Sequence, residues 1–341
     1  MKVNVWNTIN QLSKERGVEP RVIIKAIEES LRVAAARFFN QGEDIKVEFK
    51  PEKSELRVYV VKKVVPEVID PAREISLDEA LLHNPAAKLE ETIEIELPAD
   101  TLGRIAAQAA KQAIFQKVRD AEVEKVYEEF APRVGDIVTG IARRYENNGI
   151  VVEISRTEAF LPDKDRLPGD DFRPGDLVKA LISQVQKNPR GPQVILSRTS
   201  PRFLSRLLEL EIPEIAAGTI KIKDIARQPG ERAKVAVYTQ DGDIDPVGAC
   251  IGVKGNRIIS ILKELDGEKI DIIEWSPDPV LYAKSALSPA KVNRVVIINK
   301  DTKEMEARVD KDQFSLAIGK KGINVRLASK LVGWKISIKQ E

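Results

Sequence analysis

A chain of 341 residues with 43% hydrophobic residues has room for two to four domains with real cores. Its formal net charge is only +2, no apolar run is long enough to span a bilayer, and Met1-Lys2-Val3-Asn4-Val5-Trp6 lacks a leader's apolar stretch. A cytoplasmic protein without membrane attachment is expected. The single cysteine, Cys250, and single histidine, His83, exclude an intramolecular disulfide and supply too few ligands for a structural zinc site. Cys250 reads as a small buried residue and His83 as a surface residue before Asn84-Pro85.

Residues 4–16 read as a short helix stopped by Gly17. Pro20 suits the first turn of a second helix, whose Ile23, Ile24, Ile27, Leu31, Ala34, Ala35 and Phe38 share one face. Alternating apolar residues predict strands at 45–49 and 56–65. Ser76 and Glu79 form a capping-box pattern for a short helix ending by Asn84-Pro85, and residues 92–97 read as a strand. Residues 100–130, rich in Ala, Gln, Lys and Glu and free of proline, predict one helix of roughly 45 Å. It reads as a rod joining two bodies, or as a helix packed along its own N-terminal domain, and the two are compatible.

Residues 133–200 switch to short strands and turns. Strands are expected at 136–144, 150–154, 159–161, 177–185 and 193–197, with a hairpin turn at Asn147-Asn148-Gly149. Five short strands in so few residues suggest a small barrel. Asp163, Asp165, Asp170 and Asp171 lie in a Pro/Gly loop between them. They read as solvated, with a loose Mg²⁺ site as the less favoured alternative.

The remaining chain holds an internal repeat. Asp245-Pro-Val-Gly-Ala-Cys-Ile-Gly-Val-Lys-Gly-Asn-Arg-Ile258 aligns without a gap on Asp312-Gln-Phe-Ser-Leu-Ala-Ile-Gly-Lys-Lys-Gly-Ile-Asn-Val325, and a strand-like segment follows each copy. An isolated Gly-Xaa-Xaa-Gly is common in turns; two copies in matching surroundings are specific. Asp245 and Asp312 are expected N-caps of short helices. The glycines let a backbone approach closely and take positive φ. The helix after each loop offers free N–H groups and a positive dipole end, which attract phosphate. Lys254, Lys320 and Lys321 add charge. The P-loop pattern, with its Gly-Lys-[Ser/Thr] ending, is absent. Charge points the same way: residues 277–341 hold 13 Lys+Arg against 7 Asp+Glu, whereas residues 1–131 hold 20 against 24. A basic end favours polyanions, although a lysine-rich face is often merely solvated.

At these residues a resemblance emerges. Ile251-Gly252-Val253-Lys254-Gly255 and Ile318-Gly319-Lys320-Lys321-Gly322 look like the loops of KH modules, which clamp about four nucleotides of single-stranded RNA. The surrounding element order is similar to type II KH domains, α-β-β-α-α-β. Val134-Gly135-Asp136-Ile137-Val138-Thr139-Gly140, Phe172-Arg173-Pro174-Gly175-Asp176-Leu177-Val178 and Ile195-Leu196-Ser197 resemble the S1-like OB fold. Ile150 and Val152 stand where that fold commonly has an aromatic. Tyr145 and Phe160, with Arg143 and Arg144 nearby, are therefore its candidates for base contact.

The succession of an α/β domain, a long helix, an S1-like barrel and two KH modules resembles the NusA family of bacterial transcription factors over the whole chain. Ile244-Asp245-Pro246-Val247-Gly248-Ala249-Cys250, Ala317-Ile318-Gly319, Asn324-Val325-Arg326-Leu327-Ala328-Ser329 and Ile105-Ala106-Ala107-Gln108-Ala109-Ala110-Lys111-Gln112 carry that resemblance. It implies a multidomain α+β fold: a polymerase-binding domain at 1–98, a linker helix at 99–131, the barrel at 132–200, and KH domains at 201–276 and 277–341. It also implies a cytoplasmic, monomeric factor that needs no cofactor or metal. Such a factor binds RNA polymerase near the RNA exit channel and single-stranded nascent RNA, promotes pausing and hairpin-dependent termination, and supports antitermination with other Nus factors. Some members carry acidic C-terminal repeats; here regulation through such repeats is not expected. RNA contacts are expected from Arg143, Arg144, Tyr145 and Phe160, from Gly252, Val253, Lys254, Gly255, Asn256 and Arg257, and from Gly319, Lys320, Lys321, Gly322, Asn324 and Arg326. The rival readings are an RNA-binding subunit of an RNA-processing or degradation assembly, and a ribosome-associated assembly factor. Residues 1–131 show no paired carboxylates, metal-ligand spacing or nucleophile motif, so no enzyme is expected.

Overall fold

The structure, a computed structural model, describes residues 19–38, 44–50, 55–96, 99–146, 148–188 and 193–341. They belong to two compact units, Met1–Val126 and Tyr127–Glu341. The helix expected at 4–16, together with Leu97 and Asn147, lies outside the described residues.

In the first unit, α1 (Pro20–Phe38) buries Ile23, Ile27, Leu31 and Ala35, the four-residue spacing of one helical stripe. It covers a sheet in which β1 (Ile45–Lys50) and β4 (Thr92–Glu96) pair antiparallel to β2 (Glu55–Val65). A short strand absent from the sequence reading, β3 (Glu74–Ser76), pairs with β2 in parallel. Ser76 then caps α2 (Leu77–His83), its Oγ accepting from the Glu79 N–H at 3.3 Å. The long helix α3 (Ala99–Phe130) begins in this unit, where Ala113 is buried against Ile23, Ile27 and Leu31. It therefore does pack on its own domain, and it also continues across the division between units.

In the second unit, α3 ends on the fully buried Phe130, and Pro132 sits in a 3-10 turn, Ala131–Arg133. Five strands follow: β5 (Ile137–Tyr145), β6 (Gly149–Ile154), β7 (Thr157–Pro162), β8 (Leu177–Val185) and β9 (Val194–Ser197). They close into a barrel in the order β5-β6-β7-β9-β8, as the strand spacing predicts. Ile150 and Val152 are buried in its wall, which accounts for aliphatic residues there.

The first repeat opens with α4 (Pro201–Glu211) and the short α5 (Pro213–Ala216). It continues through β10 (Ile220–Gln228), β11 (Arg232–Thr239), α6 (Pro246–Ile251), α7 (Asn256–Glu264) and β12 (Lys269–Glu274). The second repeat gives α8 (Pro279–Ala286), β13 (Arg294–Asn299), β14 (Glu304–Val309), α9 (Phe314–Ile318), α10 (Ile323–Val332) and β15 (Lys335–Gln340). In both sheets the middle strand is antiparallel to the one before it and parallel to the last, the topology the KH resemblance implies.

Side chains alternate across a strand, and β11 uses both of its faces. Ala233, Val235 and Val237 meet Phe203, Leu204, Leu207 and Leu208 of α4, Cys250, and Ile258 and Ile261 of α7. The opposite face carries Ala236, which with Ala226 and Ile273 joins the core of the second repeat, among Leu327, Ala328 and Leu331 of α10. Lys234 shares this second face. It is fully buried, and its ammonium donates to Asp271 Oδ2 at 2.9 Å and to the Ser288 carbonyl at 2.7 Å. Burial pulls its pKa below the ordinary lysine value, against the pull of Asp271. The two repeats thus share one core and one buried cation.

The barrel is fastened to the first repeat in a similar way. Leu167 and Leu181 enter the core of the first repeat. Buried Arg198 donates to Asp170 Oδ2 at 2.8 Å, to the Glu264 carboxylate at 2.8 Å and to the Glu264 carbonyl at 2.7 Å. This corrects the reading of the acidic loop as solvated for Asp170 and in part for Asp165, whereas Asp163 and Asp171 are exposed as expected. Asp170 is buried in an ion pair, Asp163 pairs with Arg166 at 2.7 Å, and Asp165 accepts from Ser197 at 2.8 Å. Asp170 and Asp165 thus serve structural partners and hold the loop in place.

One cap differs from expectation. Asp245 caps α6, accepting from the Val247 N–H at 3.0 Å. Asp312 does not cap α9: the N-cap there is Gln313, in αR conformation with no side-chain bond to the helix. Pro246 fixes the first helical position in copy one. In copy two Gln313 instead accepts from the Lys291 N–H at 3.1 Å, and the turn runs on into the helix.

Candidate nucleic-acid interface

The two Gly-Xaa-Xaa-Gly segments adopt the same backbone. Gly252 has φ 75°, ψ 177°, and Gly319 has φ 77°, ψ 168°, a region that essentially only glycine occupies. Lys254 (φ 54°, ψ 23°) and Lys321 (φ 52°, ψ 27°) are both left-handed, as are Gly255 and Gly322. A Cβ on Gly252 would lie 2.5 Å from Asn256 Oδ1 and 2.9 Å from Arg257 Cγ; on Gly319 it would lie 2.8 Å from Asn324 Cβ and 2.9 Å from its backbone nitrogen. Glycine is therefore required by both torsion and space, because the chain folds back on the helix that follows. A Gly-to-Asp change at these two positions would distort the fold as well as the loop.

The loop tips face solvent. Val253 is 80% exposed, and Lys254, Lys320 and Lys321 are exposed with no hydrogen bond or ion pair among the described residues. Behind them, α7 and α10 begin with no side-chain cap on Gly255 or Gly322. Uncapped N–H groups, a helix dipole and unpaired ammonium groups converge at each tip, which is the chemistry of a phosphate seat. The second loop carries two such lysines where the first has one.

The second loop also opens onto a cleft of about 790 Å³. Gly319, Lys320, Lys321, Ser315 and Leu316 form one wall, and Glu231, Arg232 and Lys269 of the first repeat form the other. Arg232 is held by Asp271 at 2.7 Å, whereas Lys269 is exposed with no partner among the described residues. Lys269 escaped the sequence reading because it reaches the second loop only through packing of the two repeats.

Several of the expected contact residues are differently employed. Asn324 is fully buried, its amide donating to the carbonyls of Leu287, Leu316 and Ala317, so it cannot touch RNA directly. The Arg257 guanidinium is held between the Glu214 carboxylate at 2.9 Å and the Ala249 carbonyl at 2.5 Å. Arg144 grips Glu158 with two bonds, at 2.6 and 2.9 Å, which raises its pKa further. Asn256 and Arg326 are exposed, and among the described residues Arg326 reaches only Gln228, at 3.4 Å.

On the barrel, Tyr145 is half exposed. Its hydroxyl donates to the Phe172 carbonyl at 2.5 Å, and the Arg166 guanidinium lies 5.8 Å from its ring centre. Phe160 is half-buried across the β6–β7 ladder, its ring edge against Gly149. Arg143 pairs with Glu153 at 2.9 Å. Tyr145 is therefore the more exposed of the two candidate rings, and its nearest arginines are already partnered.

Comparison with known proteins places these features in context. Residues 4–124 match the NusA N-terminal domain, residues 198–275 the NusA-like first KH domain, and residues 279–341 the NusA-like second KH domain. The chain is 46% identical to a transcription termination/antitermination protein NusA of Halalkalibacterium halodurans, over all of this chain and 89% of that one. It is 46% identical to the protein of that name in Bacillus subtilis, over all of this chain and 92% of that one. It is 38% identical to the one in Thermus thermophilus, over 97% of this chain and 88% of that one.

Proposed function

The chain belongs to the NusA family of transcription termination/antitermination proteins, and from that premise we propose how it acts. Residues 1–98 dock on RNA polymerase, α3 carries the chain from that domain to the RNA-binding unit, and the barrel with the two KH domains holds the emerging single-stranded RNA. The outcome is a change in pausing, termination and antitermination, in concert with other Nus factors, by a monomer working in the cytoplasm. No step requires a cofactor.

One observation carries the RNA part of this reading: two loops of the same torsions, each presenting unpaired lysine at an uncapped helix start. The fold refines the physics of binding. Modules joined by flexible linkers gain affinity through effective concentration. Here the barrel and both repeats share cores, and Arg198 of the barrel pairs with Glu264 of the first repeat, so their seats are held in fixed relation. Preorganisation lowers the cost of ordering on binding. The names of the relatives favour transcription over RNA processing.

The test uses the full chain, a labelled single-stranded RNA and purified bacterial RNA polymerase. Wild type is expected to bind both and to lengthen a hairpin-dependent pause. Triple substitution of Lys254, Lys320 and Lys321 by Asp should abolish RNA binding while polymerase binding persists. Unchanged RNA affinity in the folded triple variant would overturn the loop assignment. Failure of the wild type to bind polymerase would overturn the docking role. Shortening of the RNA on incubation with Mg²⁺ would instead favour the processing reading.

A further inference from the structure

Arg257 and Asn324 occupy equivalent places in the repeat, since the ungapped alignment that pairs Gly252 with Gly319 also pairs these two. It pairs Ala249 with Leu316 as well. The structure joins the same positions: Arg257 Nη1 donates to the Ala249 carbonyl at 2.5 Å, and Asn324 Nδ2 donates to the Leu316 carbonyl at 3.3 Å and the Ala317 carbonyl at 3.0 Å. These acceptors need partners. The last carbonyls of a helix have none within it, and the one N–H that turns back at each end, from Gly252 or Gly319, goes to Gly248 or Ser315.

Each side chain also reaches a third element. Arg257 pairs with Glu214 of α5 at 2.9 Å, and Asn324 donates to the Leu287 carbonyl, at the end of α8, at 3.0 Å. The two residues lie where a Cβ on Gly252 or Gly319 would fall, Arg257 Cγ at 2.9 Å and Asn324 Cβ at 2.8 Å. The glycine thus vacates the space through which the following helix ties itself to the preceding one. A charged guanidinium and a neutral amide perform the same task at matching positions.

We propose that Arg257 and Asn324 are positioning residues, clasps that hold each loop in its phosphate-receiving form without touching the RNA. The proposal rests on the RNA-binding reading of the loops. A residue that contacts phosphate contributes to the salt dependence of binding, because each neutralised phosphate releases counterions. A clasp contributes to affinity alone.

The experiment compares full-chain wild type with Arg257→Leu, Arg257→Asn and Lys254→Asp, titrating a fluorescein-labelled single-stranded RNA of mixed sequence across a range of salt. Arg257→Leu is expected to weaken binding roughly tenfold, the scale of one lost charge-assisted hydrogen bond, with the salt slope of wild type. Arg257→Asn, which installs the chemistry of the second copy, should recover most of that loss. Lys254→Asp should flatten the slope. Hydrogen exchange without RNA supplies an independent readout: the amides of Gly252 and Gly255 should exchange faster in Arg257→Leu, and not in Lys254→Asp, while β11 stays protected. A flattened slope in Arg257→Leu would make Arg257 a contact residue and overturn the proposal, as would unchanged exchange at Gly252 and Gly255. If wild type binds no RNA, the RNA reading fails, and the exchange comparison alone still decides whether the clasp holds the loop.

Discussion

The Arg198 guanidinium and the Asp170 carboxylate meet at 2.8 Å within the barrel segment, both side chains only 4% exposed, and the same guanidinium ties the barrel to Glu264 of the first repeat. The guanidinium is further enclosed by Glu264 and by the rings of Phe172 and Phe203, whose centres lie 5.2 and 5.5 Å away. Removing one partner of a buried pair leaves the other charge desolvated and unopposed, at a cost of about 3–5 kcal/mol. Arg198→Ala is expected to lower stability on that scale. Denaturant unfolding monitored on the unit 127–341 within the full chain checks it, and a loss under ~1 kcal/mol would mean that water replaces the guanidinium.

The second loop should dominate the ionic part of RNA binding, since Lys320 and Lys321 stand where the first loop has Val253 and Lys254. Replacing both Lys320 and Lys321 by Gln is expected to reduce the slope of log affinity against log salt by about two, and replacing Lys254 alone by about one. Salt titrations of the three proteins decide it; equal slopes would place the phosphates elsewhere.

Gly319 and Gly322 should respond differently to alanine. Gly319→Ala brings a Cβ to 2.9 Å from the Asn324 nitrogen in a torsional region closed to alanine, whereas nothing lies within 4 Å of a Cβ on Gly322. Gly322→Ala should cost about 1 kcal/mol of left-handed strain, and Gly319→Ala clearly more. Thermal melts of the two variants make the comparison, and equal losses would show that the loop can relax around Asn324.

Acid should loosen the last strand first. The Lys339 ammonium and the Arg308 guanidinium hold Glu306 below the ordinary carboxylate range, and Lys335 does the same to Glu304, pinning β15 to β14 at 2.7 and 2.9 Å. A depressed folded pKa means that this stabilisation is complete above the unfolded carboxylate value and disappears as pH falls through the depressed one. Amide exchange along β15, measured from neutral pH down, should accelerate in that window. Glu306→Gln should remove most of the pH dependence, and a wild-type profile in that variant would assign the effect to other groups.

Burial pushes the Cys250 thiol up to about 11, so little thiolate exists near neutrality. Native protein should react slowly with an alkylating reagent at mildly alkaline pH and rapidly once unfolded. Fast labelling of native protein, followed by mass spectrometry, would reveal opening of α6.

Much of this was legible in the chain itself. The repeat announced both loops, because glycine in a left-handed or extended positive-φ turn has few substitutes, and five short strands crowded into residues 133–200 announced a barrel. What escaped had physical reasons. Asn324 read as an RNA contact because its polarity is visible in sequence, whereas its burial depends on how α10 folds back on the carbonyls of α9 and on Leu287, 37 residues away. Asp312 mimicked Asp245 by alignment, yet without a proline after it the turn starts elsewhere. The α4 helix had a readable signal in Ser200-Pro201 followed by Phe203, Leu204, Leu207 and Leu208, a capped start and an apolar stripe. Asp170 and Arg198 could not be paired from sequence, since nothing local links a loop carboxylate to a cation 28 residues on.

The alanines at 226 and 236, with Ile273, form the floor on which α10 rests. Two segments of like sequence need not be interchangeable; here the outer face of one is the floor of the other. Deleting the second copy would expose an oily floor to water and take from the Lys234 ammonium its Ser288 carbonyl, and transplanting the first copy elsewhere would do the same. The pair has become a single heritable part, so a chain cut near residue 277 divides one solid instead of separating two.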